Sequence, residues 1–294
     1  MSNKALVIRG LTYTYPETQE PALSDISFDL DYGQVLGVVG PTGAGKTTLA
    51  LAIMGLIPNV LGGAMGGEVI VGGTPTNGSK MDELSRKVGL VFQEPENQLS
   101  QMTVEEEVAF GMANLGTPRK VMERRIPEAL SMVGLDGFEK RSPLALSGGQ
   151  QQRLAIASVL AMRPSVIVLD EPTSMLDPIG KDEVFNVLTA LRGERRTVII
   201  IEHEVERLAE FCDGILLLSE GRIKALGAPR EVFGRLKKLA ESKVRPPQVT
   251  QLSELLIHED GWPLSVAVTL DEAYEGIRVV LNRGPGVQRG GRSG

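Results

Sequence analysis

The chain has one cysteine, Cys212, in 294 residues, and that scarcity excludes an internal disulfide framework. It suits a reducing compartment, where a lone thiol packs as a small hydrophobe. Positive charge is also short: 31 lysines and arginines face 37 aspartates and glutamates, a formal charge of -6. A balance of that sign argues against a nucleic-acid-binding surface, and no nucleic-acid partner is expected. Long apolar runs are missing too. Stretches such as Val166–Leu169 and Ile215–Leu218 are far too short to span a bilayer, and Met1–Gly10 lacks the apolar core of a signal peptide. The expectation is a soluble chain, one large domain or a domain with an appendage, that reaches a membrane only through a partner.

Against those absences stands Gly40–Thr48, GPTGAGKTT, which fits the phosphate-loop pattern with Gly40, Gly45, Lys46 and Thr47 at its fixed positions. Gln34–Val39 before it reads as a buried strand, and Thr48–Met54 after it as a helix. A glycine-rich turn there points successive backbone N–H groups, and the positive end of a helix dipole, at one spot. Lys46 is expected to reach the β- and γ-phosphates and the Thr47 hydroxyl to ligate Mg²⁺.

The rest of the chain alternates strands and helices. Ala5–Thr14 and Leu23–Leu30 read as antiparallel N-terminal strands around the turn Pro16–Pro21. Tyr15 before that turn is an aromatic platform for a base or simply a tyrosine at a strand end. Strands follow at Glu68–Val71, Val88–Phe92, Val166–Leu169, Thr197–Glu202 and Gly214–Leu218. Helices fall at Pro118–Val133, Ser147–Met162, Lys181–Leu191, Val205–Phe211 and near Arg230–Lys243, with a capping box of Thr103 and Glu106 opening another. That order implies an α/β domain with a largely parallel sheet. Residues 94–146 lack strand patterning and read as a helical insertion within a domain spanning 1–243. Arg245-Pro246-Pro247 breaks the chain, and 244–282, with helical candidates Val249–His258 and Asp271–Leu281 and a capping box of Thr269 and Glu272, reads as a small C-terminal domain. The glycine- and arginine-rich tail 283–294 is expected to be disordered.

Two further stretches carry chemistry. Val166–Asp170 is an apolar strand ending in an acid, followed by Glu171. Adjacent acids there suggest a division of labour, Asp170 toward the metal and Glu171 polarising the attacking water. Leu146–Arg153, LSGGQQQR, places a second donor-rich turn directly before a long helix, another anion site. One triphosphate has no evident need of two such helix starts from one chain. A head-to-tail dimer solves this, each turn capping the γ-phosphate on the other subunit's loop.

Taken together, GPTGAGKTT, Gln93, LSGGQQQR, VIVLDEPTSMLDP (Val166–Pro178) and His203 resemble, in order and spacing, the ATP-binding-cassette ATPases over about residues 4–240. The resemblance implies an ABC-type phosphate-loop fold with ATP and Mg²⁺ as ligands. It implies that Tyr15 stacks on adenine, and that Gly40, Pro41, Thr42, Gly43, Ala44, Gly45, Lys46, Thr47 and Thr48 cradle the phosphates. Mg²⁺ would be held by Thr47, Gln93 and Asp170, with Gln93 also reporting to the membrane partner. Ser147, Gly148, Gly149 and Gln150 would bind the γ-phosphate in trans, Asp177 would touch the dimer partner, Glu171 would be the general base and His203 the γ-phosphate switch. Without the resemblance His203 reads equally as a strand-end histidine.

Val91–Gly111 is further similar to energy-coupling-factor transporter ATPases, through Phe92-Gln93, Pro95, Asn97-Gln98, Thr103-Val104-Glu105 and Ala109-Phe110-Gly111. Pro246–Gly276 is similar to the short C-terminal extension of those subunits. The group implies a peripheral ATPase on the cytoplasmic face of the cell membrane, powering uptake of a vitamin or transition-metal ion. Its partners would be a second ATPase subunit (homo- or heterodimer), a transmembrane coupling subunit and a substrate-binding membrane subunit. The alternative is another importer class, for metal, amino acid or peptide. Soluble ABC ATPases of ribosome or DNA carry two cassettes or a long coiled coil, where this chain has one phosphate loop and no heptad run.

Overall fold

Strands buried on both faces require apolar residues at every position, and the central strands of this chain have them. The computed structural model describes residues 4–194 and 196–282. Ten strands form among these: β1 (Lys4–Thr14), β2 (Leu23–Asp31), β3 (Val35–Val39), β4 (Ala64–Val71), β5 (Thr74–Pro75), β6 (Val88–Val91), β7 (Val166–Asp170), β8 (Thr197–Ile201), β9 (Gly214–Ser219) and β10 (Arg222–Gly227). The first sheet, ordered β2-β1-β4-β5, is antiparallel. The second runs β10-β9-β3-β8-β7-β6, parallel throughout except for the β9–β10 hairpin at its edge.

Side chains of the parallel strands alternate between two cores, as the period of two demands. Leu36, Val38, Val88, Leu90, Val166, Val168, Ile199 and Ile201 face a core shared with the antiparallel sheet and the helix Lys46–Met54. Val35, Val39, Val91, Ile167, Leu169, Val198 and Ile200 face the other, closed by the helices Val104–Asn114, Arg119–Met132, Gly148–Met162 and Pro178–Gly193. No strand forms between 94 and 146, so this stretch is helical as its patterning implies. Parallel pairing sets the carboxyl ends of β3, β6, β7 and β8 along one edge of the sheet. The phosphate loop, Gln93, the acid pair and His203 each leave one of those ends.

Three elements differ from expectation. The helix expected near Arg230–Lys243 is two, Pro229–Phe233 and Leu236–Glu241, because Arg235 leaves helical conformation (ψ 63) directly after the weak helix former Gly234. β4 starts at Ala64, four residues earlier than Glu68, and carries Gly67 at positive φ, where a Cβ would lie 2.3 Å from Gly10 O. Without a side chain, Gly67 lets β4 pass close to β1 at its irregularity between Arg9 and Thr12. The β10 hairpin was not expected from its short mixed run; Glu220 and Gly221, both at positive φ, form its turn. Past the Pro246-Pro247 break, the helices Gln248–His258 and Leu270–Asn282 are linked to earlier elements by the Arg230–Glu272 pair and by Val268 in the second core. Thr269 Oγ1 accepts from Glu272 N as the expected box requires, while the Glu272 carboxylate accepts one residue earlier, from Val268 N. The tail 283–294 lies outside the described residues.

Candidate active site

The phosphate loop joins β3 to the helix Lys46–Met54, and its glycines are used for space as well as for turning. A Cβ on Gly40 would stand 2.1 Å from Leu218 O, and one on Gly45 (φ +100) would stand 2.7 Å from Ala22 O. Both positions are therefore closed to any other residue. Between them Pro41, Thr42, Gly43 and Ala44 complete the loop, where Gly43 has room for a Cβ but holds a φ of +79 that favours glycine. Lys46 is 5% exposed, and its Nζ donates to Gly40 O (3.0 Å) and Pro41 O (3.2 Å). Burial pulls its pKa down from the usual lysine range, opposed by the charges of Glu171 and Asp170.

Asp170 ends β7 with its side chain 5% exposed, and its Oδ1 has no hydrogen-bond partner among the described residues. Burial raises its pKa above the ordinary carboxylate range, against a hydrogen bond from Thr47. An orphaned, buried carboxylate oxygen beside a threonine hydroxyl is the donor set a hard divalent cation takes. Glu171, next in the chain, sits in the left-handed region (φ 49), and its N–H donates to Ile201 O at 2.9 Å, tying β7 to β8. This strained backbone turns the carboxylate out between its neighbours: Oε1 lies 2.9 Å from His203 Nε2 and 3.7 Å from Lys46 Nζ. Lys46, Glu171 and His203, from three different elements, are thus one cluster. Gln93 lies two residues past the end of β6, the neighbour of β7, and its side chain makes no hydrogen bond among the described residues.

Tyr15 stands half-buried at the end of β1, edge-on to Tyr13 with centroids 4.9 Å apart. Its hydroxyl is 3.1 Å from Thr48 Oγ1, which fixes the ring to the phosphate-loop helix. A cavity of about 800 Å³ adjoins the loop, and Gly40, Pro41, Thr42, His203, Lys243 and Arg245 are among the residues that line it.

The second turn is not part of this cavity, which none of Ser147, Gly148, Gly149 and Gln150 lines. Ser147 caps its helix by a reciprocal pair, Ser147 Oγ accepting from Gln150 N and Gln150 Oε1 from Ser147 N. A Cβ on Gly148 would meet nothing within 4 Å, whereas one on Gly149 would lie 3.6 Å from Gly180 Cα. The turn thus packs beside the start of the helix Pro178–Gly193 with one side open. Asp177 caps that helix, Oδ1 accepting from Gly180 N at 2.7 Å.

One residue of the cluster escaped the sequence reading. Glu202, 2% exposed, accepts from Thr173 N (2.9 Å) and Thr173 Oγ1 (2.7 Å) on one oxygen and from His203 N (3.1 Å) on the other. It ties the loop after Glu171 to the backbone of His203. The signal was available: an acid ends the apolar run TVIIIE just as Asp170 ends VIVLD. Burial raises its pKa. Glu202→Ala strands three donors and is expected to cost about 3 kcal/mol of stability, while Glu202→Gln loses less than half of that, as read by urea denaturation.

A parallel sheet with a glycine-rich loop at the carboxyl end of β3 and an acid pair on β7 defines a phosphate-loop nucleotide triphosphatase. Comparison with known proteins narrows the class. The family model for ABC transporters matches residues 23–174. The energy-coupling factor transporter ATP-binding protein EcfA of Methanocaldococcus jannaschii is 39% identical over 271 residues, 92% of this chain and 95% of that protein. Among solved structures, CbiO1 of Clostridium perfringens, part of the ABC transporter complex CbiONQ, is similar with a TM-score of 0.72 and 32% identity, over 86% of this chain and 100% of that one. An ATP-binding cassette solved as a dimer in a post-hydrolysis state with ADP and Pi gives a TM-score of 0.66 at 29% identity, over 76% of this chain and 99% of that one. The chain belongs to the ABC transporter family, as one of its ATP-binding subunits.

Proposed function

We infer that the chain is the ATP-binding and ATP-hydrolysing subunit of an energy-coupling-factor-type importer. The observation that carries the chemistry is the cluster Lys46–Glu171–His203 beside a buried acid with a free oxygen. Lys46 would exchange its two carbonyl partners for the β- and γ-phosphates, a charge-assisted contact in place of neutral ones. Thr47, Asp170 and Gln93 would hold Mg²⁺, whose charge offsets that developing on the transferred phosphoryl group. Glu171 takes the proton from the attacking water, and His203, held by Glu202, fixes the carboxylate and the γ-phosphate relative to each other.

The turn Ser147–Gln150 and the Asp177 loop have no partner at the chain's own loop. A second copy of the chain, related head to tail, would bring its Ser147–Gln150 turn onto the γ-phosphate. ATP then favours the closed pair because it binds that pair more tightly than the open one. Among the described residues no helix is long and apolar enough to cross a membrane. Solute specificity would reside in a transmembrane coupling subunit and a substrate-binding subunit, with this chain peripheral on the cytoplasmic face and residues 244–282 a small C-terminal domain packed on the cassette. The relatives named EcfA support this reading over other importer classes. Pull-down of the tagged chain from membranes, followed by mass spectrometry, tests it. Membrane subunits of an energy-coupling-factor importer are expected; recovery with a periplasmic-type solute receptor and its permease would contradict it.

Two smaller effects follow. Tyr15→Ala is expected to weaken ATP binding about tenfold through loss of base stacking, and Tyr15→Phe to change it less than twofold, both by calorimetry. Asp170, with its raised pKa, binds a proton more tightly folded than unfolded, so its contribution to stability is lost as pH rises through the raised value. In nucleotide-free, magnesium-free protein, Asp170→Asn should therefore match wild type near pH 4 and exceed it in Tm at pH 7, while losing any added stabilisation by Mg²⁺ over ATP alone.

A further inference from the structure

The helix Val104–Asn114 opens with three successive glutamates, and each has a different task. Glu106 completes the capping box with Thr103. Glu105 pairs with Lys140 at the surface. Glu107 turns inward: it is 4% exposed, and one oxygen, Oε2, accepts from both Ser100 N (2.7 Å) and Gln101 N (2.8 Å). No cation pairs with it among the described residues. A buried carboxylate costs more than an apolar side chain of the same size unless its bonds are needed for geometry. Here they fix a backbone segment, not a core.

That segment leads out of the nucleotide site. It begins at Phe92-Gln93, past the end of β6, and its near end is held by a second latch. Gln98 Oε1 accepts from Phe92 N at 3.2 Å, and its amide reaches toward Leu90 O at 3.5 Å. Between the latches Leu99 packs on the core, while beyond Glu107's two bonds Met102 stands 82% exposed. Apart from the single turn Pro95–Asn97, the stretch has no regular structure and would ordinarily absorb a displacement of Gln93 by bending. Bracketed by Gln98 at one end and Glu107 at the other, it passes that displacement to the helix as a unit.

We propose that Glu107 is a positioning residue for coupling: by pinning the Ser100–Gln101 backbone to the helix Val104–Asn114, it makes the segment after Gln93 a rigid link between the nucleotide site and the membrane partner. The proposal rests on the reading of the chain as a transporter ATPase. It predicts that the link can be loosened without touching nucleotide chemistry, since Glu107 contacts none of the residues assigned to ATP.

The test compares wild type, Glu107→Ala and Glu107→Gln, each both as isolated chain and in the membrane complex pulled down with it. Hydrogen exchange at Ser100 and Gln101 reads the latch; ATP affinity and basal hydrolysis read the site; stimulation of hydrolysis in the complex over the isolated chain reads coupling. Glu107→Ala is expected to speed exchange at both amides at least about tenfold, leave affinity and basal rate within about twofold, and abolish the stimulation. Glu107→Gln, whose amide oxygen can still accept, should restore protection and stimulation together. Full stimulation of the Glu107→Ala complex, or restored protection without restored stimulation in Glu107→Gln, would overturn the proposal. Should Glu107→Ala fail to fold, Glu107→Asp, whose carboxylate is one methylene too short to reach both amides, takes its place: lost protection together with lost stimulation supports the link, and any other combination refutes it. A wild-type chain that recovers no membrane partner would instead defeat the transporter reading beneath it.

Discussion

Glu171→Gln is expected to bind ATP with near wild-type affinity and to hydrolyse it about 10²–10⁴-fold more slowly, the usual contribution of a positioned general base. The substitution keeps the size of the side chain and a hydrogen bond to His203 while removing the proton acceptor. It also removes a negative charge 3.7 Å from Lys46, which leaves that ammonium freer for phosphate. On the proposed cycle, in which ATP closes the pair and hydrolysis reopens it, the variant should accumulate as an ATP-bound dimer on size exclusion. Wild-type turnover by Glu171→Gln would move the base elsewhere in the site.

Lys46→Ala carries the second large effect, a loss of ATP affinity of about 10²-fold. Charge-assisted hydrogen bonds contribute roughly 1.5–3 kcal/mol each, and Lys46 is placed to make more than one. Its removal also orphans the Gly40 and Pro41 carbonyls, so the loop that should receive the triphosphate loses its internal brace before ATP arrives. Calorimetry with a non-hydrolysable ATP analogue separates binding from turnover. Unchanged affinity would mean that the loop's N–H groups alone hold the nucleotide.

The core of this site was legible because its parts are local. A phosphate loop needs a strand before it, a helix after it and glycines at positions where a Cβ has no room, and Gly40 and Gly45 meet that need within six residues. The acid pair was legible for the same reason, at the end of a five-residue apolar strand. What stayed hidden depends on residues far apart in sequence. Glu202 acts through Thr173, 29 positions away, and no periodicity reports a bond of that kind. Gly67 falls outside the strand expected at Glu68–Val71 because its use lies in a close approach to Gly10, not in its own neighbours. The joined helix expected near Arg230–Lys243 failed over two residues, Gly234 and Arg235, whose weak break a run of good helix formers conceals.

The head-to-tail pair is the claim on which the mechanism depends, and complementation tests it directly. Lys46→Ala has an impaired loop and an intact Ser147–Gln150 turn. Gly148→Asp has the reverse: a Cβ at that position meets nothing within 4 Å in its own chain, while the carboxylate stands where a second copy's triphosphate would dock. Each variant alone should be nearly inactive. Mixed in equal amounts, they should recover up to about a quarter of wild-type hydrolysis, since half the pairs are mixed and each mixed pair holds one intact composite site. No recovery at any ratio, from variants that both fold, would show that the turn does not serve a neighbouring copy.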